Sequence, residues 1–171
     1  MVNGVLAELK EVIYLIAVQD ILQGHQKNYD MDNQLIIEIN NFIDAKKLDC
    51  SCVSELMATP IFDKLVICFS FDLLNRYLWI DANIKEEITY DNNYEWEISL
   101  STLLKNFDDR VYLVVTDDEF YPWAMFECKV ELILDILSEH QYFEYFIFDK
   151  SMEYILFDTH ENIFKLASRR I

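Results

Sequence analysis

The sequence contains very little glycine and very little proline. Of its 171 residues, two are glycine (Gly4 and Gly24) and two are proline (Pro60 and Pro122). An average protein contains roughly 7% glycine and 5% proline. Phosphate-binding loops need glycine where the backbone approaches a ligand closely, and the chain has no G-x-G-x-x-G or G-x-x-x-x-G-K-S/T motif. The scarcity of glycine therefore excludes the common nucleotide-binding loops.

Metal-binding and disulfide patterns are missing as well. The four cysteines lack the C-x-x-C spacing of zinc and thioredoxin sites, and the three histidines form no H-x-x-x-H or H-E-x-x-H motif. We therefore expect no cofactor. We also expect Cys50, Cys52, Cys68 and Cys128 to be structural thiols that form no disulfide framework. No G-x-S-x-G nucleophile motif occurs either, so the sequence favours a protein that is not an enzyme.

Positive charge is the third scarcity. Acidic residues number 31 and basic residues 14, which gives a formal net charge of −17. Between Glu86 and Glu161 the imbalance is 19 against 4, a net charge of −15. A field of this sign repels nucleic acid and anionic membranes, and it steers basic proteins toward the surface. The charge therefore predicts a basic protein partner, with no direct binding of nucleic acid or membrane, and leaves the oligomeric state open.

Long apolar runs are also absent. The apolar stretch at residues 5–21 is interrupted by four charged residues and has no basic segment before it, unlike a signal peptide. The run Leu65–Phe71 is too short to cross a bilayer. We therefore expect a soluble protein of the cytoplasm, which is a reducing compartment.

What the chain does contain is apolar and aromatic side chains. Hydrophobic residues make up 53% and aromatic residues 15% of the sequence, which is typical of a folded chain, and the length fits one domain over residues 1–171. Apolar residues at helical spacing predict helices at residues 4–27, 32–47 and 130–140, a short helix that starts at Ser51 or Ser54 and ends before Pro60, and a short helix after Ser101. Apolar and β-branched runs predict strands at residues 77–82, 96–99, 110–116, 122–128, 143–148, 154–157 and 163–166.

The order of these elements predicts an α+β fold. The N-terminal helices would pack on a mainly antiparallel sheet, and the helix at residues 130–140 would precede a C-terminal meander of three strands. Residues 61–80 fit either a helix or a buried strand.

Acidic and aromatic side chains are interleaved in two segments, residues 90–97 and 117–123. Tryptophan and tyrosine are enriched at the centres of protein interfaces, and carboxylates around them would pair with arginine and lysine of a basic partner. The predicted partner-binding residues are Tyr94, Glu95, Glu97, Asp108, Asp109, Asp117, Asp118, Glu119, Tyr121 and Trp123. The alternative interpretation is that the aromatic side chains belong to the core and the acids only keep the turns in water.

A second hypothesis is a small metal-dependent hydrolase or nuclease. Asp117 or Asp118 after one strand, followed by Glu127 and Lys129 on the next, resembles the arrangement of restriction-like nucleases. Alternation places Glu127 and Lys129 on one face, where carboxylates could hold a divalent metal and the lysine could position a water. His160, in an acidic turn, is either a general base oriented by a carboxylate or an ordinary turn residue.

Three stretches in the second half of the chain resemble small bacterial toxin-immunity proteins. These stretches are Tyr112–Trp123, Phe143–Asp149 and Tyr154–His160, and the region that contains them covers about a third of the sequence. Proteins of this class are compact cytoplasmic α+β proteins that bind and block a cognate toxin. The resemblance implies a non-enzymatic inhibitor that covers a basic surface, such as the active site of a nuclease toxin.

Overall fold

The computed structural model describes residues 34–73, 75, 77–116 and 121–169. The predicted helix at residues 4–27 lies outside these residues, so this helix and the single domain over residues 1–171 stay predictions. The described helices are α1 (Gln34–Lys46), α2 (Glu55–Phe69), α3 (Asn93–Leu103) and α4 (Ile133–Glu139). The described strands are β1 (Cys50–Cys52), β2 (Ile84–Thr89), β3 (Arg110–Val115), β4 (Ala124–Lys129), β5 (Tyr145–Asp149), β6 (Tyr154–Thr159) and β7 (Ile163–Ser168).

The described strands form one antiparallel sheet in the order β1-β4-β3-β5-β6-β7-β2. Successive side chains along a strand point to opposite faces. Leu113 and Ile147 lie on the face that packs against α1, α3 and α4, whereas Val114 and Phe146 lie on the face that packs against α2. This architecture confirms the predicted α+β fold, including the helix that precedes the β5–β6–β7 meander.

The strands of the last third of the chain agree best with prediction. β3 to β7 begin and end within two residues of the predicted bounds. The edge strands β1 and β2 are not predicted by the sequence pattern, because β1 has only three residues and β2 carries Lys85, Glu86 and Glu87 in place of an apolar alternation. Short or charged strands are usual at an edge, where one side of the strand faces water.

Two of the cysteines are bonded to each other. Cys50 in β1 and Cys128 in β4 face each other across the strand pair, and a disulfide joins them. The expectation of four structural thiols is therefore wrong for this pair, although Cys52 and Cys68 are free. The two bonded residues are 78 positions apart in the sequence, so only the strand register brings them together.

Helix α2 runs through the proline that was expected to lie beyond its end. It begins after Ser54, one of the two predicted starts, but Pro60 lies inside it and the helix continues to Phe69. Proline has no N–H for the carbonyl four residues earlier, which belongs to Leu56, a residue that is 84% exposed. Water can therefore bind that carbonyl, while Phe62 and Leu65 bury the inner face of the helix.

Helix α3 replaces a predicted strand at residues 96–99 and a predicted helix start at Ser101, both of which are wrong. The Asn92 side chain accepts a hydrogen bond from the backbone N–H of Glu95 (3.0 Å), and the Glu95 carboxylate accepts one from the backbone N–H of Asp91 (2.9 Å). This pair is a capping box shifted by one residue, because Glu95 reaches the N–H of Asp91 and not that of the N-cap Asn92. The bond to Asn92 satisfies one of the N–H groups that a helix start leaves unbonded. The cap starts α3 at Asn93, so the strand-like residues 96–99 fall inside the helix.

The predicted strand at residues 77–82 is also wrong. Residues Leu78–Asp81 form a 3-10 helix, in which the neighbours Leu78 and Trp79 both pack into the core on the α2 face. A strand would send two consecutive side chains to opposite faces, so the tighter turn buries more apolar surface here. The predicted helix at residues 130–140 is confirmed, with a 3-10 turn at Val130–Leu132 before α4.

Candidate functional site

Two pockets open at the end of the sheet where β6 turns into β7. The turn consists of His160, Glu161 and Asn162, and we call this end of the sheet the hairpin end. The first pocket, of ≈ 410 Å³, lies beside α3 and α4 and includes Asn162 in its wall. The second pocket, of ≈ 420 Å³, lies beside the 3-10 helix and is lined by His160 and Glu161. The hairpin therefore separates pockets that belong to opposite faces of the sheet.

The first pocket has aromatic walls and an acidic rim. Tyr90, Trp96 and Tyr142 line it, together with the exposed carboxylates of Asp91 and Glu97. Among the described residues that line this pocket, none is a lysine or an arginine. The arrangement can therefore attract a cation electrostatically and offer it aromatic faces.

A buried carboxylate lies beneath this wall. Asp158 is fully buried in β6 and accepts hydrogen bonds from the Tyr90 hydroxyl (2.6 Å) and the Trp96 indole N–H (2.9 Å). Burial raises the pKa of Asp158 to about 6, although the hydrogen bonds from Tyr90 and Trp96 act in the opposite direction. The buried Tyr145 hydroxyl also lies near and helps to lower this pKa, but outside the geometry of a hydrogen bond. Asp158 therefore fixes the orientation of the two pocket aromatics.

The second pocket contains a paired carboxylate and imidazole. Glu144 is 5% exposed, and its Oε1 lies 2.6 Å from Nδ1 of His160 and accepts the backbone N–H of the same residue at 3.2 Å. The ring centroid of His160 lies 5.2 Å from that of Tyr77 and 6.0 Å from that of Trp79. The interpretation of His160 as a general base requires a carboxylate that orients the ring. The structure contains one, but it belongs to Glu144 and not to the acids of the turn itself.

The structure places one residue of the predicted partner-binding set in the first pocket and two more beside it on the same helix. Glu97 lines the pocket, and Tyr94 lies in the first turn of α3 with 71% of its surface exposed. Glu95 is exposed too, but its carboxylate also closes the capping box of α3. These three residues present an acidic and aromatic surface along the start of one helix.

The two described aromatic residues of the other predicted segment, Tyr121 and Trp123, pack in or against the core on the α2 face. Trp123 is 2% exposed and packs edge to face against Phe62 and Phe146, and half-buried Tyr121 packs against Phe62 and Trp123. The core interpretation therefore holds for Trp123, whose side chain is not available to a partner.

Five further predicted residues are divided between the far end of the sheet and the undescribed part of the chain. Asp108 and Asp109 are exposed, but they precede β3 at the end of the sheet opposite the hairpin end, about 17 Å away for a six-residue strand. Asp108 and Asp109 therefore lie outside the site. The prediction for Asp117, Asp118 and Glu119 stays open, because residues 117–120 lie outside the described part of the chain.

Glu127 and Lys129 of the nuclease hypothesis lie at the same far end, where they form ion pairs, whereas Asp117 and Asp118 lie outside the described part of the chain. Glu127 pairs with Arg110 (3.2 Å) and Lys150 (3.0 Å), while Asp49 pairs with Arg110 (3.0 Å) and Lys129 (3.6 Å). We call this the ion-pair end. Hydrogen bonds from Lys150 and Arg110 lower the pKa of Glu127, outweighing the effect of burial. Within the described residues, no group of three or more His, Cys, Asp or Glu side chains could hold a metal ion.

Sequence reasoning missed Asp158, Glu144 and Tyr90 as members of the site. The available signal is an acidic residue within or directly after an apolar run, as Glu144 is between Phe143 and Tyr145 and Asp158 is after Phe157. An ionisable side chain at such a position is expected to be buried with polar partners. Nothing in the sequence shows that Tyr90, 68 residues from Asp158, is one of them.

Comparisons of the chain with protein-family models, with curated proteins and with solved structures found no match. The resemblance to toxin-immunity proteins therefore stays a prediction. Among the described helices, none has the length and apolar character that a membrane span requires.

Proposed function

We propose that this protein is a non-enzymatic binding protein of the immunity or inhibitor type, and that its hairpin end binds a basic protein such as a nuclease toxin. The observation that supports this best is the first pocket, where aromatic walls and exposed carboxylates occur together without a lysine or arginine among the described lining residues. An arginine or lysine of a partner would supply the missing positive charge.

In the proposed interface, the carboxylates and the aromatic side chains have different roles. Exposed carboxylates such as Asp91 and Glu97 accelerate the approach of a basic protein and fix its orientation, and salt screens this effect. Aromatic side chains such as Tyr94 and Trp96 provide contact area, as tryptophan and tyrosine do at the centres of interfaces. Trp96 needs little further ordering on binding, because Asp158 already holds its indole N–H.

The buried Asp158 strengthens the attraction for a cation. At neutral pH, above its raised pKa of about 6, this carboxyl is mostly ionised beneath the pocket wall. A charge in a poorly solvated environment acts over a longer range than one in water. A bound cation would in turn favour the ionised form of Asp158.

The cytoplasmic location stays a prediction, and the disulfide weighs against it. Disulfides such as Cys50–Cys128 persist mainly in oxidising compartments, whereas cytoplasmic thiols are usually kept reduced. An inhibitor that works in the periplasm or outside the cell would use the same surface.

The test of this function is protection against a toxin. The gene directly upstream would encode the toxin, and its product is expressed alone and together with this protein in a sensitive cell. We expect growth to be restored by the wild type and lost with Asp91→Lys combined with Glu97→Lys, because two repulsive charges then face the basic partner. Binding measured with the purified proteins should weaken with added salt, mainly through a slower association rate.

The matched control changes the same number of charges elsewhere. Glu131→Lys combined with Glu153→Lys alters two exposed acids, one before α4 and one in the β5–β6 turn, and should leave protection intact. The proposal is contradicted if the upstream product is not toxic and this protein binds no basic protein at low salt. It is also contradicted if both double variants protect equally well.

A further inference from the structure

We infer that the second pocket is a separate anchoring position, and that it takes an arginine side chain of the basic partner. The inference rests on the proposed function, because it assigns the other side of the same hairpin to the same partner. A partner that straddles the β6–β7 turn would contact the acidic helix start on one side and His160 on the other.

The pair formed by buried Glu144 and half-exposed His160 determines what the pocket can bind. An ionised carboxylate only accepts hydrogen bonds, so Nδ1 of His160 is the donor in the 2.6 Å contact when Glu144 is ionised. In the neutral imidazole, Nε2 is then an acceptor. His160 is half exposed and lines the pocket, so in the neutral ring this nitrogen can accept a hydrogen bond from a group that enters the pocket, such as a guanidinium N–H.

The charges of the pocket favour a cation as the donor. Glu87 and Glu161 line it, and Lys165 is the one lysine or arginine among the described residues that do so. Lys165 is already paired with Glu87, at 3.6 Å. The exposed carboxylate of Glu161 is therefore left to pair with a positive group that enters beside the imidazole.

The aromatic rings favour arginine over lysine. Tyr77 and Trp79 have centroids 4.8 Å apart and form a continuous wall with the imidazole of His160. A guanidinium is planar and weakly hydrated, so it stacks on such a wall while donating several hydrogen bonds at its edge. An ammonium group is compact, strongly hydrated and unable to stack.

The experiment compares two peptides of equal charge. Deca-arginine and deca-lysine are titrated separately into the full-length protein at low salt by calorimetry, and the indole N–H signal of Trp79 is followed by NMR. We expect deca-arginine to bind tighter by roughly threefold or more, as one cation–π contact with added hydrogen bonds allows. Only deca-arginine should shift the Trp79 signal strongly.

Three variants locate the preference. Trp79→Leu and His160→Gln should bring the ratio of the two affinities close to one, and the glutamine amide can still donate a hydrogen bond to Glu144, which preserves the fold. Glu97→Gln, in the first pocket, should weaken both peptides alike and leave the ratio unchanged. Equal binding of the two peptides to the wild type would overturn this inference while leaving the proposed function standing. If neither peptide binds, both are overturned.

Discussion

The carboxylates at the two ends of the sheet have different partners, and their pKa values are shifted in opposite directions. At the ion-pair end, Glu127 and Asp49 each have two cationic partners, and the pKa of both carboxyls is lowered, chiefly by hydrogen bonds from Lys150 and Arg110 respectively. At the hairpin end, Asp158 has two neutral donors, and burial raises its pKa to about 6. A carboxylate is thus neutralised by cations at the ion-pair end, whereas Asp158 at the hairpin end has no lysine or arginine among its hydrogen-bond partners in the described part of the chain.

This difference explains how an acidic protein can have a localised binding surface. Of the four basic residues between Glu86 and Glu161, three lie in the ion-pair cluster, namely Arg110, Lys129 and Lys150. Their concentration at one end removes positive charge from the other. The hairpin end therefore carries an acidity that net charge alone does not reveal.

The largest expected effect comes from removing the buried carboxylate. Asp158→Leu leaves the Tyr90 hydroxyl and the Trp96 indole N–H without their acceptor, and each unsatisfied buried donor costs about 1–3 kcal/mol. We expect the free energy of unfolding, measured with urea, to fall by about 3 kcal/mol. The free energy of unfolding of Asp158→Asn should fall by less, because the amide oxygen of the new side chain still accepts one hydrogen bond.

The next effect is a pH dependence of stability that Asp158 should produce. Its pKa is raised in the folded state, so the folded protein binds the proton more tightly than the unfolded chain does. The resulting stabilisation is complete below the unfolded pKa and is lost as pH rises through about 6. Between pH 4.5 and 7 this loss is about 2 kcal/mol, at 1.36 kcal/mol per pKa unit.

Urea unfolding at several pH values isolates this contribution as the difference between wild type and Asp158→Asn. The variant lacks the titrating group, so its stability relative to wild type should increase from pH 4.5 to 7. A difference that stays constant over this range would show that Asp158 does not titrate as described.

The smallest effect is expected at the ion-pair end. Glu127→Gln removes one partner from a partly exposed network, where ion pairs contribute at most about 1 kcal/mol. Because the folded pKa of Glu127 is lowered, its contribution is present above the unfolded pKa and is lost as pH falls through the folded value. A loss of stability as large as that of Asp158→Leu would contradict the contrast between the two ends.

The sequence predicts the fold well where local pattern decides the structure. β5, β6 and β7 are apolar runs bounded by polar turns, and such runs have few alternatives in a chain of this composition. α3 is different, because Trp96 and Ile98 alternate with polar residues as in a strand, and the capping box at Asn92 and Glu95 decides for a helix.

The candidate site is harder to predict, because it is assembled from distant parts of the chain. Trp96 reaches Asp158 across 62 residues, and His160 is oriented by Glu144 from a different strand connection. The sequence does indicate the segment at residues 90–97 as acidic and aromatic. It cannot show that Trp123, in an equally acidic segment, points into the core.

The most direct measurement of the central claim, a localised acidic surface at the hairpin end, compares two charge-matched double variants. Asp91→Asn with Glu97→Gln removes two carboxylates from the first pocket, while Glu131→Gln with Glu153→Gln removes two exposed ones elsewhere. Binding of deca-lysine is measured by calorimetry at low salt for both. At up to about 1 kcal/mol for each lost pair, the first variant should bind roughly tenfold more weakly, and the second should differ from wild type by less than about twofold. Equal weakening of the two would show that only net charge matters, and would contradict a localised acidic surface at the hairpin end.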